Sequence, residues 1–349
     1  MVASSKLFNI LVPVISVILG LISGAILMLV FGYNPIEGYI ALWNGAFGDV
    51  YFFGETIRQV TPYILTGLAV AFAFRTGLFN IGAEGQVIVG WLAAVWVGLA
   101  VDAPIFVHLP LAILAAAVAG GLWGFIPGIL KARLGVHEVI VTIMLNYTAL
   151  YTANAIIRHV LTDSKDSTET IPASASMASE WLQQITMYSR MHYGILLALF
   201  AAIIMWFIIE KTTLGYELRS VGFNQHASKY AGMNVKKNIV LSMVISGAFA
   251  GLAGAAEGLG TFGYMSVQSG FTNLGFDGIA VALLGANTAL GVIIAAFLFG
   301  VLKVGALNMP LAADVPAELV DIIIAIIIFF VASSYIIRWA ILRFKKEGK

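Results

Sequence analysis

The chain has 349 residues, 60% of them hydrophobic and 11% charged, and its mean hydropathy is +0.95. A water-soluble domain carries about 25% charged residues and cannot bury this much apolar surface, so a soluble fold is excluded and a polytopic membrane protein is expected. A net charge of +1 implies no nucleic-acid partner, and the absence of cysteine excludes disulfides, thiolate metal sites and cysteine nucleophiles.

A spanning helix needs about 20 mostly apolar residues. That length divides the chain into ten expected spans, at 7–31, 56–74, 86–101, 107–130, 138–159, 191–209, 239–260, 274–289, 290–307 and 317–338. The first is longer than a signal-peptide core of roughly 7 to 15 residues and lacks a small-residue cleavage site followed by polar sequence, so it is expected to be retained. The eighth and ninth are parted only by a tight turn from Gly285 to Gly291. The expected fold is therefore an all-α membrane bundle of about ten transmembrane helices, forming a single domain over 1–349.

Lysine and arginine concentrate on the cytoplasmic side of membrane proteins. With both termini placed in the cytoplasm, fourteen basic residues fall inside and four, Arg58, Arg158, Lys165 and Arg190, fall outside, while Lys303 lies within a span. The loop 161–190, with TDSKDSTETIPASASMASE, is then extracytoplasmic, acidic and irregular, with a short helix expected near Trp181. The loop 211–238, with KTTLGYELRSVGFNQHASKYAGMNVKK, is cytoplasmic and basic. Its apolar residues recur at spacings of about three and four, which predicts short amphipathic helices with turns at Gly222 and Gly232. Such a structured loop reads as a docking element.

Three stretches could carry function. Residues 74–86, FRTGLFNIGAEGQ, break two apolar runs with three glycines, Asn80, Glu84 and Gln86. Polar, broken backbone inside a membrane is tolerated where it faces protein or a cavity, and transporters use it on their substrate path; an ordinary cytoplasmic turn anchored by Arg75 is the plainer alternative. Glu257 lies within a small-residue span and Asp277 opens the next one. Ionisable groups in spans usually face the interior and serve function, although a carboxylate also suits a helix N-terminus structurally. Asn146 could line a path or bond between helices. Gly120, Gly124 and Gly128, and Gly247, Gly251, Gly254 and Gly258, have the spacing of close helix packing. The segments GLAVA at 67–71 and GIAVA at 278–282 are alike, a similarity that this composition also produces by chance.

The chain has no phosphate-binding GxxxxGK[ST] loop, no GxSxG and no paired-histidine motif, so no enzyme is expected and ATP-driven transport would need a separate ATPase. Taken in order, FRTGLFNIGAEGQ, LGYELRSVGFNQHASKYAGMNVKKNIVLSMVISGAFAGLAGA and GFDGIAVALLGANTALGV resemble permease subunits of bacterial ABC importers of the branched-chain amino acid and simple-sugar permease superfamily, and within it the nucleoside branch of guanosine type. The resemblance covers 61–331. It implies the ABC importer permease fold in the cytoplasmic membrane and a second permease subunit, the same or different. It also implies a cytoplasmic ATPase that binds the ATP and an extracytoplasmic substrate-binding lipoprotein. The segment 222–232 then corresponds to the coupling helix, with Arg219, Gly222, Asn224, Ala227, Tyr230 and Gly232 facing the ATPase. Asn80, Glu84, Gln86, Asn146, Glu257 and Asp277 would lie on or beside a nucleoside path. The third motif departs from the family where Ala286 replaces an expected basic residue. A ribose-type monosaccharide permease is the neighbouring alternative; an ion-coupled secondary transporter would need more committed charges within the spans.

Overall fold

The computed structural model describes residues 2–333, and among these every regular element is helical. The helices are α1 (Val2–Val30), α2 (Pro35–Phe47), α3 (Val50–Arg75), α4 (Ala83–Ala100), α5 (Ile105–Leu134), α6 (Glu138–Ile156), α7 (Glu180–Ile185) and α8 (Gly194–Lys211). They continue as α9 (Thr213–Phe223), α10 (Gln225–Tyr230), α11 (Val235–Ala255), α12 (Leu274–Leu284), α13 (Ala289–Ala306), α14 (Met309–Ala313) and α15 (Glu318–Ala332). Wider π-type turns prolong α6 through Ile157–Leu161 and α11 through Ala256–Phe262. Eight of these helical segments are long and apolar enough to cross a membrane.

The core forms around α3, whose residues from Val60 to Ala73 are all buried. It packs against α8, α11, α12 and α13, while α11 is wedged between α4 and α5. Glycines make that wedge possible. A Cβ on Gly120 would stand 2.3 Å from the Gly247 carbonyl oxygen, and one on Gly254 would stand 2.2 Å from that of Val87, so the two glycine ladders bring backbone onto backbone. The two similar segments also meet: Gly67 abuts Val281 and Gly278 abuts Thr66 across the α3–α12 contact.

One expected span requires correction. The stretch 274–289 holds only the 11-residue α12, about 16 Å long at 1.5 Å per residue, half of a hydrocarbon core of about 30 Å. Residues 263–273 lead into it without regular structure, and its end is a turn in which Ala286 and Asn287 both have positive φ, 51° and 54°. Of the expected span 317–338, the part beyond residue 333 lies outside the described residues. Helix α2 was not expected, being too short to span. It starts at Pro35 behind Asn34, whose side chain accepts from the Ile36 N–H at 3.0 Å, and it seats Gly45 against Gly305 of α13.

The loop 161–190 covers one end of the bundle. Its backbone N–H groups at Thr168, Ile171 and Met177 donate to the carbonyls of Met265, Gly263 and Leu259, and Glu55 of α3 accepts from the Arg190 N–H at 2.6 Å and pairs with Arg58 at 2.8 Å. Helix α7, with Trp181, is the short helix expected there. The α9–α10 element stands at the opposite end, beside the C-terminal ends of α3 and α8.

Candidate functional site

Between α3 and α4 the chain runs through 76–82 without regular helix, and its polar groups are satisfied from inside. Asn80 Nδ2 donates to Ser246 Oγ at 2.7 Å and to Gln86 Oε1 at 2.8 Å, and its Oδ1 accepts from the Gly82 N–H. Ser246 in turn donates to the Ala69 carbonyl. Asn146 of α6 secures the other side, donating to the Ile81 carbonyl and accepting from the Gly85 N–H. Glu84 then reaches across to the start of α12. One carboxylate oxygen accepts from Thr272 Oγ1 at 2.7 Å and the Asn273 N–H at 2.9 Å, and the other accepts from the Gly275 N–H at 2.7 Å. The first N–H groups of a helix have no partner within it; Glu84 supplies one and lets α12 begin inside the bundle.

Thr272 and Leu274 also line a cavity of about 380 Å³, within the range of about 300–1,000 Å³ typical of small-molecule sites. Arg58 and Gln59 of α3 and Arg190 line one side; Tyr264, Ser266 and Gln268 line another. Trp91 of α4 forms the back wall, fixed by a 3.0 Å bond from its Nε1 to the Tyr264 carbonyl. Phe262 stacks on Trp91 with ring centroids 5.2 Å apart and planes inclined by 20°, and it remains 41% exposed.

Glu257 enters this cavity from the π-type end of α11, a distortion that recurs at functional sites. Gly258 and Gly260 admit its neighbours: a Cβ on either would stand 2.5 Å from Trp91 or from His192, respectively. His192 accepts from the Gly194 N–H through Nδ1 at 3.0 Å, which leaves the ring proton on Nε2, 3.3 Å from Thr261 Oγ1. Thr261 then donates to Glu257 Oε1 at 3.4 Å. Burial, aided by the nearby Arg58 charge, lowers the His192 imidazole to about 4 and holds it neutral.

At the other end, Leu218 and Val221 are buried while Phe223 is 91% and Tyr230 94% exposed. Asn224 caps α10 by accepting from the Ala227 N–H at 3.0 Å, and Gly232 turns the chain at φ +84°. Gly222, expected in a turn, lies inside α9 instead. A Cβ there would meet the Arg75 carbonyl oxygen at 2.7 Å, so α9 rests directly on the start of the 76–82 break. Arg219 and Arg75 both pair with Glu210.

The expected path residues thus divide into three groups. Asn80, Glu84, Gln86 and Asn146 converge on the break, Glu257 alone lines the cavity, and Asp277 bonds to Tyr63 at 3.1 Å and to Lys303 at 3.4 Å. Lys303 also meets Asp321 at 2.8 Å, which balances its charge inside a span. Sequence reasoning missed Trp91, Phe262, Tyr264 and Gln268 and read Arg58 and Arg190 only as markers of orientation. The one available signal was the aromatic pair Phe262 and Tyr264 just after the intramembrane Glu257.

A ligand-sized cavity with mixed polar and aromatic lining beside a broken helix, in a bundle of membrane-length helices, is the arrangement of a membrane permease. The chain belongs to the family described as branched-chain amino acid transport system / permease component, whose model matches residues 52–332. It is 68% identical to the guanosine ABC transporter permease protein NupP of Bacillus subtilis, over 98% of this chain and 99% of that protein. It is 43% identical to the nucleoside ABC transporter permease protein NupB of Lactococcus lactis, over 96% and 94% of the two chains. Identity is 34% to the glucose ABC transporter permease protein TsgB13 of Haloferax volcanii, over 92% and 87%. The chain is a multi-pass protein of the bacterial cell membrane.

Proposed function

We propose that this chain is the transmembrane subunit of an ATP-driven importer, conducting nucleosides by alternating access. It has no catalytic role of its own; a cytoplasmic ATPase binds and hydrolyses the ATP and docks on α9–α10, where Arg219, Gly222, Asn224, Ala227, Tyr230 and Gly232 lie. A second permease subunit completes the path, and an extracytoplasmic lipoprotein delivers substrate to the face covered by 161–190. Both termini are cytoplasmic in this arrangement. The break residues Asn80, Glu84, Gln86 and Asn146 shape the path, Glu257 borders it, and Asp277 steadies its wall.

The observation that carries the nucleoside reading is the 68% identity to a named guanosine permease over almost the whole of both chains. The aromatic cavity agrees with it, because purine and pyrimidine bases stack on such rings. A monosaccharide is the second reading, favoured by the 34% identity to a glucose permease. An ion-coupled transporter is the less favoured reading, since Asp277 is already paired with Lys303 and Glu84 caps α12, which leaves Glu257 as the single expected path carboxylate in a span without a described lysine or arginine partner or a helix start to cap.

The test is initial uptake of labelled guanosine, adenosine, uridine and ribose by cells with and without the chain, repeated after the ion gradients are collapsed with ATP maintained. Loss of nucleoside uptake on deletion, insensitive to the gradient, is expected. Uptake of ribose alone would change the substrate, and gradient dependence would remove the ATPase. Charged residues at Tyr230 and Gly232 are expected to leave the chain in the membrane but abolish co-purification of the ATPase; retained assembly would move the docking surface elsewhere.

A further inference from the structure

We propose that Glu257 determines specificity at the cavity, receiving on its carboxylate a pair of adjacent hydrogen-bond donors from a nucleoside whose base lies against Phe262. This rests on the nucleoside reading above. The geometry assigns the role to Glu257 because it is the cavity's incompletely satisfied acceptor. It is 5% exposed, lines the cavity, and among the described residues accepts only the long bond from Thr261, on Oε1. No described lysine or arginine nitrogen lies within 4.0 Å of it; Arg58 and Arg190 reach Glu55 instead.

A carboxylate has about four acceptor positions, and one left without donors inside a span is costly. Two polar hydrogens on neighbouring atoms match its two oxygens, and a nucleoside offers two such pairs. One is N1–H with the 2-amino group of guanine; the other is the vicinal 2′,3′-hydroxyl pair of ribose. The Thr261 bond, backed by neutral His192, keeps the carboxylate turned toward the cavity. Phe262, supported from behind by Trp91, offers a partly exposed ring a short distance along the same segment. A site built to pair with substrate donors rejects analogues lacking them far more strongly than an apolar pocket rejects a missing methylene.

The experiment compares initial uptake of guanosine, inosine and 2′,3′-dideoxyguanosine by cells carrying the full importer with wild-type chain, Glu257→Gln or Glu257→Asp, at matched membrane abundance. Inosine keeps the ribose pair and lacks the 2-amino donor; dideoxyguanosine keeps the base pair of donors and lacks the hydroxyls. If Glu257 reads the base, Glu257→Gln lowers guanosine and dideoxyguanosine uptake tenfold or more and changes inosine less than twofold. If it reads the ribose, guanosine and inosine fall tenfold and dideoxyguanosine changes less than twofold. An equal fall for all three, or none, overturns the proposal. Glu257→Asp keeps the charge but withdraws it by one methylene, so the same selective pattern is expected in weaker form, and this variant decides the matter should Glu257→Gln fail to reach the membrane. Wild-type guanosine uptake that does not depend on this chain would instead defeat the nucleoside reading itself.

Discussion

The helix break and the cavity meet at Thr272 and Leu274, yet they treat their polar groups in opposite ways. Around the break, Asn80, Glu84 and Asn146 all bond to protein atoms, most of them at 2.7–3.0 Å. In the cavity, Glu257 has one long bond, Phe262 stands partly bare, and two arginines are drawn aside by Glu55. A closed network stabilises one geometry, because any unmade buried bond costs about 1–3 kcal/mol. An open set of acceptors and rings is incomplete without a ligand. The first therefore reads as scaffold and the second as recognition, although both interrupt the same apolar bundle.

The sharpest way to break this contrast is Glu84→Leu. It strands the Asn273 and Gly275 N–H groups and the Thr272 hydroxyl, at about 1–3 kcal/mol each. Uptake is expected to vanish and the melting temperature of the detergent-purified protein to fall with it. If uptake survives, α12 does not need its cap and the break is an inert turn. Phe262→Ala should separate the two quantities. Nucleoside uptake is expected to drop about tenfold, from a stacking contribution of about 1–3 kcal/mol, while the melting temperature scarcely moves because the ring is already 41% exposed. A large loss of stability with unchanged uptake would make the ring a packing residue.

The smallest effect concerns pH. His192 is neutral in the folded protein down to about 4, whereas an unfolded histidine takes up a proton near 6.5. The unfolded chain binds more protons between these values, so the contribution of buried His192 is complete above about 6.5 and is lost as pH falls toward 4, by roughly 1 kcal/mol at pH 5.5. Melting temperatures of wild type and His192→Gln, measured from pH 7.5 to 5, are expected to converge on acidification. Parallel curves would show that His192 does not set the acid response of this layer.

Hydropathy made most of the helices legible, since a run of about 20 apolar residues has few other uses. It failed where a helix is short for a tertiary reason: nothing local announces that α12 starts inside the bundle, because its cap, Glu84, lies 191 residues away from Gly275. The polar character of 74–86 was visible, but whether Asn80 and Glu84 face a path or tie down backbone depends on partners in α11 and α12. Glu257 stood out as an acid in an apolar run. Trp91 did not, because an aromatic residue in a spanning helix looks the same whether it meets lipid, core or cavity. Gly222 looked like a turn, and only its approach to Arg75 explains why that position lacks a side chain.

The start of α12 has an electrical consequence as well. A helix N-terminus carries about half a positive charge, and where it is left free it is a ready binding place for phosphate. Here Glu84 occupies it with a resident carboxylate. The positive end of α12 is therefore already matched by one of the protein's own side chains, 191 residues away in sequence, and is not left over as a place for an anion.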